Sequence, residues 1–231
     1  MKQYQTLLFD LDDTLLDFGQ AENEALSKLF MELQIPLTDD MKETYKMFNT
    51  GLWRAHEEGK IGREELLNTR FAIFFEHYGK KVDGVEFERK YRSYLDEGHQ
   101  LIDGAMELIL DLYEKYDLFI VTNGVVSTQE KRLKDSGLAP YFQHVFVSEE
   151  IGFQKPKFEF FDYVFGQLKK CERGTTLIIG DSLTSDIQGG FNADIDTCWF
   201  NPHYKKKNID VEPTYEIRQL TELKDILKIT E

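Results

Sequence analysis

Between about Leu16 and Leu101 the chain shows helical periodicity and no convincing strand, while short apolar runs that read as strands stand on both sides of that stretch. This asymmetry limits the fold more than any other feature. Parallel strands need helical crossovers between them, and a long all-helical excursion after the first strand has to be a module inserted into a sheet domain. The first run, Thr6-Leu7-Leu8-Phe9, is short and mostly apolar, and it reads as a strand buried in a sheet. Inside the excursion, Ala25, Leu26, Leu29, Phe30 and Leu33 recur at helical spacing. Pro36 breaks the run, and Thr38-Asp39-Asp40 looks like the next helix start. Tyr45, Phe48, Leu52 and Trp53 continue that helix. Leu66, Leu67, Phe71, Phe74 and Phe75 mark a third, ended near Gly79, and Val85 to Tyr94 a fourth.

After Leu101 strands and helices alternate. Ala105 to Tyr113 reads as a helix and Leu118-Phe119-Ile120-Val121 as a strand. Val126 to Ser136 is helical, with Gly137 just past its end, and Val145-Phe146-Val147 is a short strand. Pro156 is placed to open a helix running to Lys170. Leu177-Ile178-Ile179 and Thr197-Cys198-Trp199-Phe200 are two more strands, with a short helix near Asp186 to Ala193 between them. The fold class is therefore α/β: a doubly wound parallel sheet, a Rossmann-like core, with an inserted all-helical domain. The boundaries fall at 1–16 and 101–231 for the core and 17–100 for the insertion.

Ligand sites in such sheets lie beyond the carboxyl ends of the strands. Asp10 and Asp12 stand two residues apart at the end of the first strand, so both can start on one side. Two carboxylates there are costly unless paired or holding a cation, which points to a hard-cation site beside a nucleophilic carboxylate. A turn or a helix N-cap is the plainer reading of the same residues. Three later strand ends add Thr122-Asn123-Gly124, Lys155-Pro156, and the run from Gly180-Asp181 to Asp186. Taken singly, Thr122 reads equally as a cap, Lys155 as a surface lysine, and Asp181 and Asp186 as turn residues. Together they bring carboxylates, a hydroxyl and an ammonium toward one crevice.

The formal net charge of −14 disfavours nucleic-acid polymers and anionic membranes as partners. No apolar run approaches the roughly 20 residues that a membrane span needs. Cys171 and Cys198 sit by apolar stretches and read as buried thiols, which fits a reducing compartment. Met1-Lys2-Gln3-Tyr4 leads straight into the first strand, so the expectation is no signal peptide and a cytoplasmic location. Lys205-Lys206-Lys207 reads as a solvated loop.

The four stations resemble the motifs of the haloacid-dehalogenase-like hydrolase superfamily. Asp10-Leu11-Asp12-Asp13-Thr14 matches the first, Thr122-Asn123 the second, Lys155-Pro156 the third, and Gly180-Asp181 with Asp186 the fourth. The match spans essentially the whole chain, and the helical insertion looks like the family's first cap type. The resemblance implies an Mg2+-dependent phosphatase of small-molecule phosphomonoesters. It makes Asp10 the nucleophile that forms an aspartyl-phosphate. Asp12 becomes the acid that protonates the leaving oxygen and then the base on water. Asp10, Asp181 and the main-chain oxygen of Asp12 become the metal ligands. Thr122, the Asn123 backbone and Lys155 bind the phosphoryl group, and Asp186 either orients metal-bound water or holds Lys155. Asp13 stays open between a helix cap, a support behind the ligands and a substrate contact.

Dehalogenases of the superfamily lack the second aspartate of the first motif, so Asp12 favours phosphate chemistry. A receiver-like phospho-signalling domain uses similar residue types, but places its phosphoacceptor on a middle strand and lacks the insertion. Within the insertion, Asn49, Leu52-Trp53, Gly59-Lys60-Ile61 and Arg70-Phe71 resemble a bacterial pyrimidine 5'-nucleotidase subgroup, whose members cleave nucleoside monophosphates, noncanonical ones included. Trp53 is placed either to stack on a base or to pack in the helix core. Arg70 is either a substrate contact or an ion-pair partner, and Phe18 is a candidate pocket wall. Sugar phosphates, phosphoglycolate and a phosphomutase reaction stay open as alternatives.

Overall fold

The computed structural model describes residues 3–168, 171–207 and 210–229. Met1, Lys2, Lys169 and Lys170 lie outside the described residues; the helix expected from Pro156 to Lys170 starts later, at Phe158, and ends at Gln167, with Leu168 as its C-cap. The chain divides into two compact units, Met1–Phe18 with His99–Glu231, and Gly19–Gly98.

Among the described residues the first unit is built on six parallel strands: β1 (Thr6–Phe9), β2 (Asp117–Thr122), β3 (His144–Val147), β4 (Thr176–Gly180), β5 (Asp196–Phe200) and β6 (Tyr215–Ile217), in the order β3-β2-β1-β4-β5-β6. The expectation of a doubly wound parallel sheet is borne out. β1 is central, with Thr6 opposite both Asp117 and Thr176. Leu7 and Phe9 belong to one apolar cluster and Leu8 to another, so the strand is buried on both faces. That double burial is why it reads as an unbroken apolar run. β6 has no signal in the sequence, because three residues in a polar stretch carry no strand pattern.

The second unit carries four helices: α1 (Phe18–Glu32), α2 (Asp39–Glu57), α3 (Arg63–His77) and α4 (Gly84–Leu95). Thr38 caps α2 by accepting from the Met41 N–H at 3.2 Å, and Asp83 caps α4 by accepting from Val85 and Glu86. The interior is aromatic: Phe30 stacks on Phe75 with ring centres 5.6 Å apart, and Tyr45 on Phe71 at 5.2 Å. A buried polar chain runs through it. Arg70 donates to both oxygens of Glu88 (2.6 and 2.9 Å) and to Asn49, which donates in turn to Glu22.

The rest of the first unit adds α5 (Ala105–Leu112), α6 (Val126–Asp135), α7 (Ser148–Ile151), α8 (Phe158–Gln167), α9 (Gln188–Asn192) and α10 (Leu223–Leu227). One π-helical turn, Leu183–Ile187, precedes α9. The chain leaves and re-enters this unit side by side: Leu16 bridges Leu101, Asp17 N–H donates to Gln100, and Ile102 N–H to Leu15.

Candidate active site

In a sheet ordered this way the direction of winding reverses beside β1, where the chain passes from β3 across to β4. The crevice beyond the carboxyl ends of β1 and β4 is therefore the place for a ligand. Asp10 follows β1 and Asp181 follows β4. Thr14 joins the two loops: its hydroxyl accepts from the Asp181 N–H at 3.1 Å and lies 3.4 Å from an Asp10 oxygen.

Lys155 is the hub. Its buried ammonium donates to Asp10 Oδ1 at 2.7 Å, to Asp186 Oδ1 at 2.6 Å and to the Val121 carbonyl at 2.7 Å. Of the two readings of Asp186, the contact made is the one to Lys155. The other Asp186 oxygen accepts from the Ser182 N–H at 3.0 Å. Gly180 clears room for that carboxylate, since a Cβ there would lie 2.2 Å from Asp186 Oδ2. Asn123 fixes the Lys155 loop with two bonds: Nδ2 donates to the Lys155 carbonyl at 3.0 Å and Oδ1 accepts from its N–H at 2.9 Å.

Burial pushes the Asp10 carboxyl well above the ordinary carboxylate range; Lys155 pulls it down, and Asp186 and Asp181 push it further up. Burial likewise pushes Asp181 up to about 7, against the pull of Lys205. Burial drags the Lys155 ammonium down, yet Asp10 and Asp186 outweigh it and leave it above the ordinary lysine value. Oxygens of Asp10, Asp181 and Asp186 lie within 4.8 Å of one another. Asp10 and Asp181, both strained toward the neutral form and crowded by Asp186, are a donor pair that fits a hard divalent cation.

Asp12 lies apart from that cluster. Gln129 Nε2 donates to its Oδ2 at 2.7 Å, and Arg132 pairs with its Oδ1. Gln129 Nε2 also reaches the Thr122 hydroxyl at 2.8 Å, which accepts from Gly124 N–H as well. Asp13 accepts from the Phe18 N–H at the start of α1, so a helix cap is the contact it makes. The Phe18 ring lies over the Arg132 guanidinium, 5.6 Å away. Trp53 sits in the helical unit with its ring edge-on to His56, and Arg70 is an ion-pair partner within that unit.

Four contributors were missed. Thr14 stands in the sequence only as part of a motif. Gln129 and Arg132 stand on a helix whose buried side is mostly polar, with Leu133 beside them, so the pattern gave no inward face. Lys205, expected in a solvated loop, pairs with Asp181 at 2.9 Å, its backbone held by two bonds to Asn201.

Comparison with known proteins places this geometry in a family. The haloacid dehalogenase-like hydrolase family matches residues 7–200. YfnB of Bacillus subtilis, a HAD-hydrolase by name, is 58% identical over 229 residues, covering 99% of this chain and 97% of its own length. Its magnesium-bound crystal structure superposes with a TM-score of 0.95 at 57% identity, over 99% of this chain and 100% of that one. The pyrimidine 5'-nucleotidase PynA of Streptococcus pneumoniae is 44% identical, with 97% of this chain and 95% of that protein covered. The pyrimidine 5'-nucleotidase YjjG of Escherichia coli is 30% identical, with 97% and 98% covered. With the motifs, the sheet order and these relatives in agreement, the chain belongs to the haloacid dehalogenase-like hydrolase family.

Proposed function

We propose that this chain is an Mg2+-dependent phosphomonoesterase acting through an aspartyl-phosphate on Asp10, and that its substrates are pyrimidine nucleoside 5'-monophosphates, noncanonical ones included. The observation that carries the phosphatase reading is Asp10 at the winding reversal, with one oxygen on Lys155 and Asp181 beside it. The substrate class is supported by the names of PynA and YjjG. We assign the metal to Asp10, Asp181 and the main-chain oxygen of Asp12; when bound, it neutralises the crowded carboxylates and the phosphoryl oxygens.

A carboxylate is a weak nucleophile, and phosphoryl transfer asks mainly for in-line placement and charge neutralisation. An Asp10 oxygen forms the new bond to phosphorus as the ester P–O bond breaks. Asp12 gives its proton to the departing 5'-oxygen, then takes one from the water that cleaves the aspartyl-phosphate. Lys155 keeps Asp10 placed and offsets charge through both steps. Thr122 and the Asn123 backbone hold the phosphoryl oxygens. In this assignment the enzyme acts in the cytoplasm.

The test is a comparison of kcat/KM for uridine and thymidine monophosphates with adenosine monophosphate, a hexose phosphate and phosphoglycolate, with Mg2+ and with chelator. The pyrimidine substrates should lead, and chelator should abolish turnover. A sugar phosphate or phosphoglycolate ahead by tenfold, about 1.4 kcal/mol in transition-state binding, would reject the nucleotidase assignment. Full turnover in chelator would reject the metal.

A further inference from the structure

We propose that Gln129 and Arg132 are positioning residues for the Asp12 carboxylate, a clamp delivered by one face of α6. The inference rests on the assignment of Asp12 as the acid and base given above. Residues three apart on a helix share a face. Here that face holds each Asp12 oxygen separately: Gln129 Nε2 on Oδ2 at 2.7 Å, and Arg132 Nη1 on Oδ1. Arg132 Nη1 also lies 3.4 Å from Gln129 Oε1, which links the two donors to each other.

Burial makes the arrangement selective. Arg132 is 0% exposed and Gln129 1%, whereas the Asp12 side chain keeps 28% of its surface open. A guanidinium taken fully out of water is tolerated only with a well-matched anionic partner, so Arg132 ties its own burial to the position of Asp12. Phe18 covers the guanidinium from another side. Gln129 also binds Thr122 Oγ1 at 2.8 Å, so one side chain sets the spacing between the proposed acid–base and the proposed phosphoryl-binding hydroxyl. The turn before α6 is cut to admit it: a Cβ on Gly124 would stand 2.5 to 2.6 Å from Gln129 side-chain atoms.

The chemistry gives positioning a signature that mere packing lacks. When an alkyl ester is cleaved, the departing alkoxide needs the Asp12 proton as its bond to phosphorus breaks. A p-nitrophenolate leaves as a stable anion and needs no proton. Misplacing Asp12 therefore slows transfer from an alkyl phosphate to Asp10 far more than transfer from p-nitrophenyl phosphate. It also slows the later attack of water for both, so the aspartyl-phosphate accumulates.

The test uses the full chain with Gln129→Leu, which keeps volume and removes the donor, and Arg132→Lys, which keeps charge and removes the fork. Asp12→Asn is the standard. For each protein, the first-turnover release of nitrophenolate is compared with first-turnover cleavage of uridine monophosphate, and phosphate on Asp10 is trapped by acid. Both variants should reproduce the Asp12→Asn pattern in weaker form: at least a tenfold greater loss on the nucleotide, with trapped phosphate raised when p-nitrophenyl phosphate is the substrate. Equal losses on both substrates, no loss on either, or unfolding of both variants while Asp12→Asn stays folded would assign the pair to structure and overturn the clamp. If Asp12→Asn itself loses equally on both substrates, the acid–base reading of Asp12 fails, and the clamp with it.

Discussion

A lysine buried among carboxylates is tolerable only while the charges stay matched. Lys155 touches Asp10 and Asp186, and Asp186 is itself fully buried, so removing the ammonium strands a charge where water cannot reach it. Lys155→Met should lower stability by about 3–5 kcal/mol, the usual result of breaking a buried pair from one side. The double variant Lys155→Met with Asp186→Asn should recover a sizeable part of that loss. Denaturant titration of the two variants measures it; equal stability of single and double variants would mean that the Asp186 contact contributes little. Turnover should fall by about 100-fold or more in both, because a charge aimed at the transferred group is lost.

At the scale of elements, three of the residues that carry the nucleotidase resemblance, Asn49, Arg70 and Phe71, serve the interior of the helical unit, while Gly59 and Lys60 stand exposed. Asn49 and Arg70 are buried, bonded to each other, and closed off by Glu22 and Glu88. Arg70→Ala should therefore cost about 3 kcal/mol or more by leaving Glu88 short of a partner, read by thermal melting, while the order of preference among nucleotides in the folded fraction stays unchanged. A switch in that order without loss of stability would return Arg70 to the substrate. The sheet was legible for a related reason. β1 and β4 are buried on both faces, so their sequences are nearly pure apolar runs, and the polar residues after them stand out by contrast. The clamp on Asp12 was not legible, because Gln129 and Arg132 look like a solvated helix face until Asp12 is brought to them. Lys205 was hidden likewise: three lysines in a loop read as solvent-seeking, and only the turn fixed by Asn201 carries the first of them to Asp181.

For the whole molecule, the crowded carboxylates tie stability to pH and to the cation. Asp181 is raised in the fold to about 7. A carboxyl whose folded value lies above its unfolded one favours the fold while protonated, and that contribution is lost as pH rises through the folded value. The metal-free protein should thus melt higher at pH 6 than at pH 8, at about 2–4 °C per kcal/mol for a chain of this size. Asp181→Asn should flatten the difference in part, and saturating Mg2+ should raise the melting point most at pH 8. A metal-free melting point that climbs from pH 6 to pH 8 would contradict this balance.

The side-by-side departure and return at Leu16 and Leu101 has a kinetic consequence. β1 must find β2 across the whole of Gly19–Gly98, since Thr6 pairs with Asp117. Closure entropy grows only with the logarithm of the segment, about 0.6 kcal/mol per doubling, so the native state bears the insertion lightly. The search does not, because pairings distant along the chain are what slow folding. Helices rich in local contacts form early and shorten the effective tether that β1 drags behind it. The burden of housing the helical unit thus falls on the time needed to assemble the sheet, and hardly at all on the depth of the folded well.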